Sequence, residues 1–295
     1  MANLYSQADS NIRRTWLLMI LLMVLIISFG WFLSYLFDSW IVLGVAIVWS
    51  LLMNFFAYWY SDKMVLQMVR AKEVTMDDQP ELYRLTENLA IAAGLPMPRL
   101  YLMEEKQPNA FATGRDEKHA TVVVTRGLIE RLDRSELEGV IAHELAHIRN
   151  KDILIGTVVI VLVGAVTMVS NLALKMSFLQ GGNRREGNPL GIVIGLIGLI
   201  LAPLAAALIK ASVSRRREFL ADASGALITR YPEGLASALA KISDDSHQLA
   251  RANNSNAHLF IASPFRGQSA KSWTTKLFAT HPPVEERIKR LMEKK

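Results

Sequence analysis

The residues best suited to chemistry in this chain of 295 residues form the run His143-Glu144-Leu145-Ala146-His147. Two histidines four positions apart on a helix project from the same face, so both imidazole rings can reach one small cation. Glu144 is rotated away from that axis and can contact a water on the metal without ligating the metal. The spacing therefore predicts a zinc site for hydrolysis. A helix face with two solvated histidines would show the same spacing.

A catalytic zinc site needs a third protein ligand and keeps one position open for water. One type of zinc protease places a histidine six residues after the second histidine of the motif, but Ile153 stands there, so that type is excluded. Glu218 and Asp222 are again four residues apart, on a predicted helix. We expect Glu218 to ligate the metal and Asp222 to orient a ligand histidine. The alternative is that the acidic pair only balances the three preceding arginines.

A third candidate group is His281 with Arg287, in the sequence HPPVEER. A histidine and a guanidinium can stabilise the oxyanion of a tetrahedral intermediate. Taken alone, a histidine before two prolines is more often a turn residue, so this group is the weakest of the three.

Four apolar segments would place these residues at a membrane. Each is long enough to cross roughly 30 Å of hydrocarbon as a helix, at about 20 residues per crossing. Tryptophan and tyrosine cluster near the ends of the first two, as aromatic rings do at the headgroup layer. The segments are 16–37, 40–60, 153–174 and 190–209.

Basic residues near the ends of these segments predict their orientation. Arg13 and Arg14 precede the first segment, and three arginines at 215–217 follow the fourth. We therefore expect both termini and the active site on the cytoplasmic side. His147 precedes the third segment and Glu218 follows the fourth, so the two share a side only if both segments cross or neither does.

The predicted organisation alternates between membrane and cytoplasm. It comprises an N-terminal membrane hairpin (1–60), a cytoplasmic protease region with the histidine helix (61–152), a second membrane hairpin (153–211) and a C-terminal cytoplasmic region that supplies Glu218 and the HPP segment (212–295).

Local patterns predict the elements of the protease region. Helical periodicity covers 79–94, and β-branched residues predict strands at 99–104 and 120–125. Ser135 and Glu138 have the spacing of a capping box, which predicts the start of the helix that carries the two histidines.

Composition excludes several classes of function. The chain is 51% hydrophobic, has a net charge of +6 and contains no cysteine. A disulfide scaffold, cysteine zinc ligands and a thiol nucleophile are therefore excluded. The basic excess is regional and not interleaved with aromatics, so we expect no nucleic-acid partner. A phosphate-binding loop is missing, so we expect no nucleotide. The apolar segments hold almost no ionisable residues, which argues against a transporter or channel.

Three motifs occur in one order: HELAH at 143–147, REFLAD at 217–222 and HPPVEERI at 281–288. Together they resemble the HtpX family of bacterial integral-membrane zinc metalloproteases, relatives of the prenyl-protein (CAAX) protease. The resemblance covers essentially the whole chain. It implies a mainly α membrane protein with four membrane helices and a cytoplasmic α+β protease domain of the zincin-like, gluzincin type.

The resemblance also implies roles for individual residues. His143, His147 and Glu218 would ligate one zinc ion per subunit, and Glu144 would be the catalytic base. His281 and Arg287 would lie near the catalytic centre. Two residues would stand behind the ligands: Asp222 and Asn150. The substrate-binding edge would consist of four consecutive residues: Asn109, Ala110, Phe111 and Ala112.

By resemblance, the role is quality control in the bacterial cytoplasmic (inner) membrane by a multi-pass protein. Its partners would be the lipid bilayer, misfolded membrane proteins or unfolded polypeptides as substrates, and ATP-dependent membrane proteases with which it cooperates. A CAAX-type processing protease and a non-proteolytic, zinc-stabilised membrane scaffold stay as alternatives. The scaffold is disfavoured because structural zinc sites usually have four protein ligands, often cysteines.

Overall fold

The computed structural model describes residues 4–164, 214–247, 249–250, 256–262 and 282–293. The second half of the third apolar segment, the whole of the fourth segment and His281 lie outside the described residues. The described part is mainly helical, with one small sheet. The helices are α1 (Leu4–Leu36), α2 (Trp40–Trp59), α3 (Ser61–Val69), α4 (Pro80–Ala93), α5 (Arg126–Arg131), α6 (Arg134–Arg149), α7 (Asp152–Gly164), α8 (Arg215–Thr229), α9 (Pro232–Ser243) and α10 (Val284–Met292).

Among the described residues, two helices are long and apolar enough to cross a membrane, Asp9–Leu36 and Trp40–Trp59. They pack against each other as a hairpin, with Gly30 giving room for the side chain of Ala46. Large apolar side chains such as Trp40 remain exposed on their surface. The third predicted segment begins as α7, which packs on both helices. The prediction of four membrane helices goes beyond these two and stays a prediction.

The sheet has four strands in the order β1-β2-β4-β3. The two strands expected at 99–104 and 120–125 form its parallel centre, with Leu102 opposite Val124. Every residue of β4 is buried, as its β-branched composition favours. The strands are β1 (Lys72–Glu73), β2 (Arg99–Met103), β3 (Ala110–Thr113) and β4 (Thr121–Thr125). Strand β3 lies antiparallel to β4 at the edge, where sequence periodicity gave no strand signal.

Helix α6, which carries both motif histidines, begins earlier than predicted. The predicted capping box at Ser135 and Glu138 is wrong: Asp133 is the N-cap, and its box partner is Glu136. Asp133 accepts from the Glu136 amide at 3.0 Å, and the Glu136 carboxylate accepts from the Asp133 amide at 2.9 Å. Both spacings satisfy the motif, but only Asp133 has the extended conformation that an N-cap needs.

Close helix packing around α6 determines what can surround the histidines. A Cβ on Gly139 would lie 2.6 Å from the backbone nitrogen of Leu235 in α9. A Cβ on Gly225 of α8 would lie 3.0 Å from the backbone nitrogen of His143. The two glycines therefore bring α9 and α8 nearly into backbone contact with α6, on opposite sides of its midpoint.

We expect Gly139→Ala to destabilise the protein. Alanine favours a helix by about 1 kcal/mol over glycine, but the added methyl group meets rigid backbone, and overpacking of this kind costs about 1–3 kcal/mol. The thermal midpoint of the full chain in detergent should therefore fall. Gly44→Ala is the matched control, because a Cβ there has no atom within 4 Å. Equal midpoints for the two variants would contradict the packing argument.

Candidate functional site

Three side chains from two helices converge beside the sheet. His143 and His147 come from α6 and Glu218 from the first turn of α8, and one ligand atom of each lies within 4.8 Å of the others. The two histidine Nε2 atoms are 3.1 Å apart. Glu218 Oε1 lies 3.6 Å from His147 Nε2, and Oε2 lies 4.0 Å from His143 Nε2. Tetrahedral ligands at about 2.0–2.1 Å from zinc are about 3.3 Å apart, so the set fits one such ion.

Glu218 reaches the histidines because α8 lies almost directly against α6. Gly225 faces the backbone of His143, and Glu218 lies seven residues before it, about two helical turns along the same face. Glu218 is 6% exposed, so its carboxylate points inward rather than to solvent. The predicted acidic pair thus turns towards the histidines instead of only balancing the preceding arginines.

Asp222, predicted to orient a ligand histidine, lies behind His143. Its Oδ1 is 3.0 Å from His143 Nδ1. Arg287 of α10 donates to both oxygens of Asp222, from Nε at 2.9 Å and from Nη2 at 2.7 Å. A carboxylate held in this bidentate way has little freedom to rotate.

Arg287, predicted near the catalytic centre, is fully buried. Beyond Asp222, its Nη1 donates to the carbonyl of Ile261 at 3.0 Å. Nη2 also lies 3.4 Å from His143 Nε2. The guanidinium is therefore close to the candidate ligands but is hydrogen-bonded within the protein at each of its nitrogen atoms.

His147 is supported by Asp152, which the sequence analysis missed. Asp152 Oδ2 lies 3.0 Å from His147 Nδ1. Helix α6 ends at Arg149, and Lys151 adopts a left-handed conformation with φ of 55°, which turns the chain back towards the site. An acid five residues after the motif was visible in the sequence, but its direction depends on where the helix ends.

Asn150, predicted to stand behind the ligands, is the C-cap of α6. It is buried, and its carbonyl accepts a hydrogen bond from the side chain of Asn11 at 3.0 Å. Its place is therefore at the helix end, beside Asp152.

Burial and charge shift the pKa values of the two histidines in opposite directions. Burial lowers the pKa of His143 to about 4, against the opposing effect of Asp222. Burial would also lower the pKa of His147, but the hydrogen bond to Asp152 and the charge of Glu218 outweigh it and raise that pKa to about 9. The carboxylates that hold a proton on His147 would equally attract a metal cation to the same place.

Glu144 is buried beside the candidate ligands. Burial raises its pKa to about 7, and the charge of Glu218 acts in the same direction. The positive charge of His147 and a hydrogen bond from the backbone amide of Ala112 partly oppose that shift. A carboxyl group with a pKa near neutrality can both accept and return a proton.

The predicted substrate-binding residues form the edge of the sheet. Asn109 precedes β3, and Ala110, Phe111 and Ala112 lie within it. All four side chains are buried, so the groups that a partner strand could contact at this edge are those of the backbone. Part of it is already paired, because the Ala110 carbonyl accepts from the amide of Ile261 at 3.0 Å.

Comparisons with known proteins agree with this geometry. The sequence model of Peptidase family M48 matches residues 76–295. A protease HtpX homolog of Thermoanaerobacter pseudethanolicus is 44% identical over 296 residues, covering 98% of this chain and 97% of that protein. A protease HtpX homolog of Tropheryma whipplei is 50% identical over 237 residues, covering 80% of each.

A solved structure shows the same fold. The crystal structure of S. mikatae Ste24p aligns with a TM-score of 0.51 at 19% identity, covering 90% of this chain and 62% of that chain. The Thermoanaerobacter relative covers 98% of the chain, and the family match over residues 76–295 includes the histidine helix and Glu218. The chain therefore belongs to Peptidase family M48, among its HtpX proteases, and is a metalloendopeptidase.

Proposed function

We propose that the protein is a zinc-dependent endopeptidase of the bacterial cytoplasmic membrane that cleaves misfolded or damaged membrane proteins. The observation that carries the proposal is the convergence of His143, His147 and Glu218, with the buried carboxyl of Glu144 next to them. The absence of cysteine restricts a zinc site to histidine and carboxylate ligands, and these three residues supply that set.

Zinc bound by these ligands would polarise the scissile carbonyl and lower the pKa of a bound water towards about 7. Glu144 takes the proton of the attacking water on a carboxylate oxygen and then delivers it to the leaving amine. In the protein alone, burial raises its pKa to about 7, and the same burial favours return of the proton to the leaving amine. A hydrogen bond from the backbone amide of Ala112 holds the Glu144 carboxylate in place during both proton transfers.

Arg287 is our candidate for stabilising the oxyanion that develops during the reaction. Its Nη2 lies 3.4 Å from His143 Nε2, at the border of the candidate metal site. Its hydrogen bonds to Asp222 and Ile261 support a second role, the positioning of His143. His281, which we propose as its partner, lies outside the described residues.

The substrate would bind in an extended conformation along β3, as an added strand. Strand β3 is the edge of the sheet nearest the site, since its residue Ala112 donates to Glu144. A substrate that pairs at Ala110 would replace the hydrogen bond that Ile261 now makes there.

The position of the site relative to the membrane helices supports substrates at the membrane surface. Asn11, at the start of the predicted span Asp9–Leu36, contacts Asn150 at the end of the histidine helix. The site therefore lies at the N-terminal end of the first span, on the same side as Arg13 and Arg14. The positive charge of those two residues favours the cytoplasmic face for this end of the span and for the site beside it.

We expect Glu144→Gln to abolish cleavage of an unfolded membrane protein by the purified full chain in detergent with zinc. The amide keeps the size of the side chain but cannot accept the water proton, and loss of general-base catalysis costs at least about 10²-fold. Product formation on gels and bound zinc are the measurements, and zinc content should stay near that of the wild type.

Retained cleavage by the Glu144→Gln variant would contradict its role as the base. A prenylated soluble peptide, offered in parallel, distinguishes the processing protease from quality control. Preference for that peptide over the unfolded membrane protein would reject our assignment of substrate, and zinc binding without cleavage of either would favour the scaffold.

We expect Glu218→Ala to lose zinc. Two histidines alone leave the ion without the carboxylate that completes a three-ligand catalytic site. Zinc stoichiometry measured on the dialysed protein should fall well below one per chain, with activity lost in parallel. Glu87→Ala, an exposed glutamate of α4, is the control and should keep wild-type stoichiometry. Unchanged zinc content in the Glu218 variant would reject it as a ligand.

A further inference from the structure

We propose that Asn11, in the first membrane helix, is a positioning residue of the metal centre that acts on His147 through Asp152. The inference rests on the proposed zinc site and adds a residue of the membrane anchor to it. Asn11 and Asp152 are 141 positions apart in the sequence, and no motif connects them.

Asn11 is 3% exposed, and its side-chain amide both donates and accepts hydrogen bonds. Nδ2 donates to Asp152 Oδ1 at 2.6 Å and to the carbonyl of Asn150 at 3.0 Å. Oδ1 accepts from Nη1 of Arg217 at 3.1 Å. The side chain is thus directed out of its own helix, into the segment that follows the histidine helix and the segment that precedes Glu218.

Asp152 is the residue that connects this amide to a candidate ligand. One of its oxygens contacts His147 Nδ1 at 3.0 Å, while the other accepts from Asn11. A hydrogen bond at Nδ1 fixes the tautomer and the ring orientation of a histidine that ligates through Nε2. With both oxygens held, the Asp152 carboxylate cannot rotate away from the ring, so the short hydrogen bond from Asn11 helps to fix the orientation of His147.

The charges around Asp152 explain why an amide suits this position. Arg217 Nε lies 3.6 Å from Asp152 Oδ1, on the same oxygen that accepts from Asn11. An asparagine can donate to the carboxylate and accept from the guanidinium at once. An aspartate could still accept from Arg217, but it would place a second negative charge beside Asp152.

A neighbouring polar residue shows that Asn11 does more than satisfy its own burial. Thr15 lies one turn further along the same helix and is also buried, but its hydroxyl donates to the Asn11 carbonyl of the same helix at 2.9 Å. Thr15 therefore needs no partner elsewhere, whereas the side-chain hydrogen bonds of Asn11 described above join it to residues outside its own helix.

The test measures zinc affinity of the full chain in detergent by competition with a chelator, for Asn11→Ala, Asn11→Asp and Asp152→Ala. Loss of an outer hydrogen-bond partner of a metal ligand weakens the metal about 10- to 100-fold. We expect Asp152→Ala to fall in that range and both Asn11 variants to weaken zinc by about tenfold. The visible spectrum of the cobalt-substituted protein should change in the same three variants.

A double-mutant cycle separates positioning from a purely structural role. In the Asp152→Ala background, Asn11→Ala should weaken zinc by less than about twofold, because its effect passes through the missing carboxylate. Thr15→Val is the matched control: it removes a buried hydroxyl from the same helix and should leave zinc affinity and the cobalt spectrum unchanged.

Two results would overturn the inference. One is wild-type zinc affinity in both Asn11 variants; the other is an equal loss from Asn11→Ala with and without Asp152. Failure of the proposed function looks different: the wild type would bind no zinc, or His143→Ala would bind it as well as the wild type does. Either of these last two results would reject the proposed zinc site, and with it the role of Asn11.

Discussion

The burial of several charged groups around two histidines is the constraint on which the rest of the structure depends. Moving a carboxylate out of water without a partner costs several kcal/mol, and breaking a buried pair leaves that cost uncompensated. Asp222 is therefore held by Arg287 from the last helix, and Asp152 by Asn11 from the first. The chain must bring its two ends to the same helix for the cluster to be stable. The geometry of the candidate metal site therefore depends on the overall topology of the chain.

Steric fit at the backbone makes that convergence possible. Gly139 and Gly225 allow two helices to approach α6 so closely that a methyl group would disturb either contact. The histidine helix can then be surrounded on several sides by short polar side chains that reach its two histidines directly. Longer separations would have required water between the groups, and the histidine rings would be less firmly held.

The proposed chemistry and the buried cluster support each other. The carboxylates that raise the pKa of His147 to about 9 also create a negative potential suited to a divalent cation. Removal of water raises the pKa of Glu144 to about 7, which is where a base that must also act as an acid works best. The pKa of His147 is raised by Asp152 and Glu218 against the effect of burial, whereas that of Glu144 is raised by burial itself. Both shifts depend on tertiary contacts, so neither can be read from a motif.

Local elements of the fold were predictable because their signals lie within a few residues. The parallel strands β2 and β4 and helix α4 lie where periodicity and β-branched runs placed them. The predicted capping box lies two residues too late, because Asp133 and Ser135 have equivalent spacing and only backbone conformation distinguishes them. The edge strand β3 gave no periodic signal, since its four residues are all buried.

Three features can be read from the residues alone: the one-turn spacing of His143 and His147, the exclusion of cysteine chemistry and two apolar runs of membrane length. These follow from the period of a helix and from composition, which need no knowledge of contacts. The contacts of Asp152 with His147 and of Asn11 with Asp152 become visible only in the folded chain. Such contacts depend on where helices end and how they cross. No local pattern encodes a hydrogen bond between residues 141 positions apart.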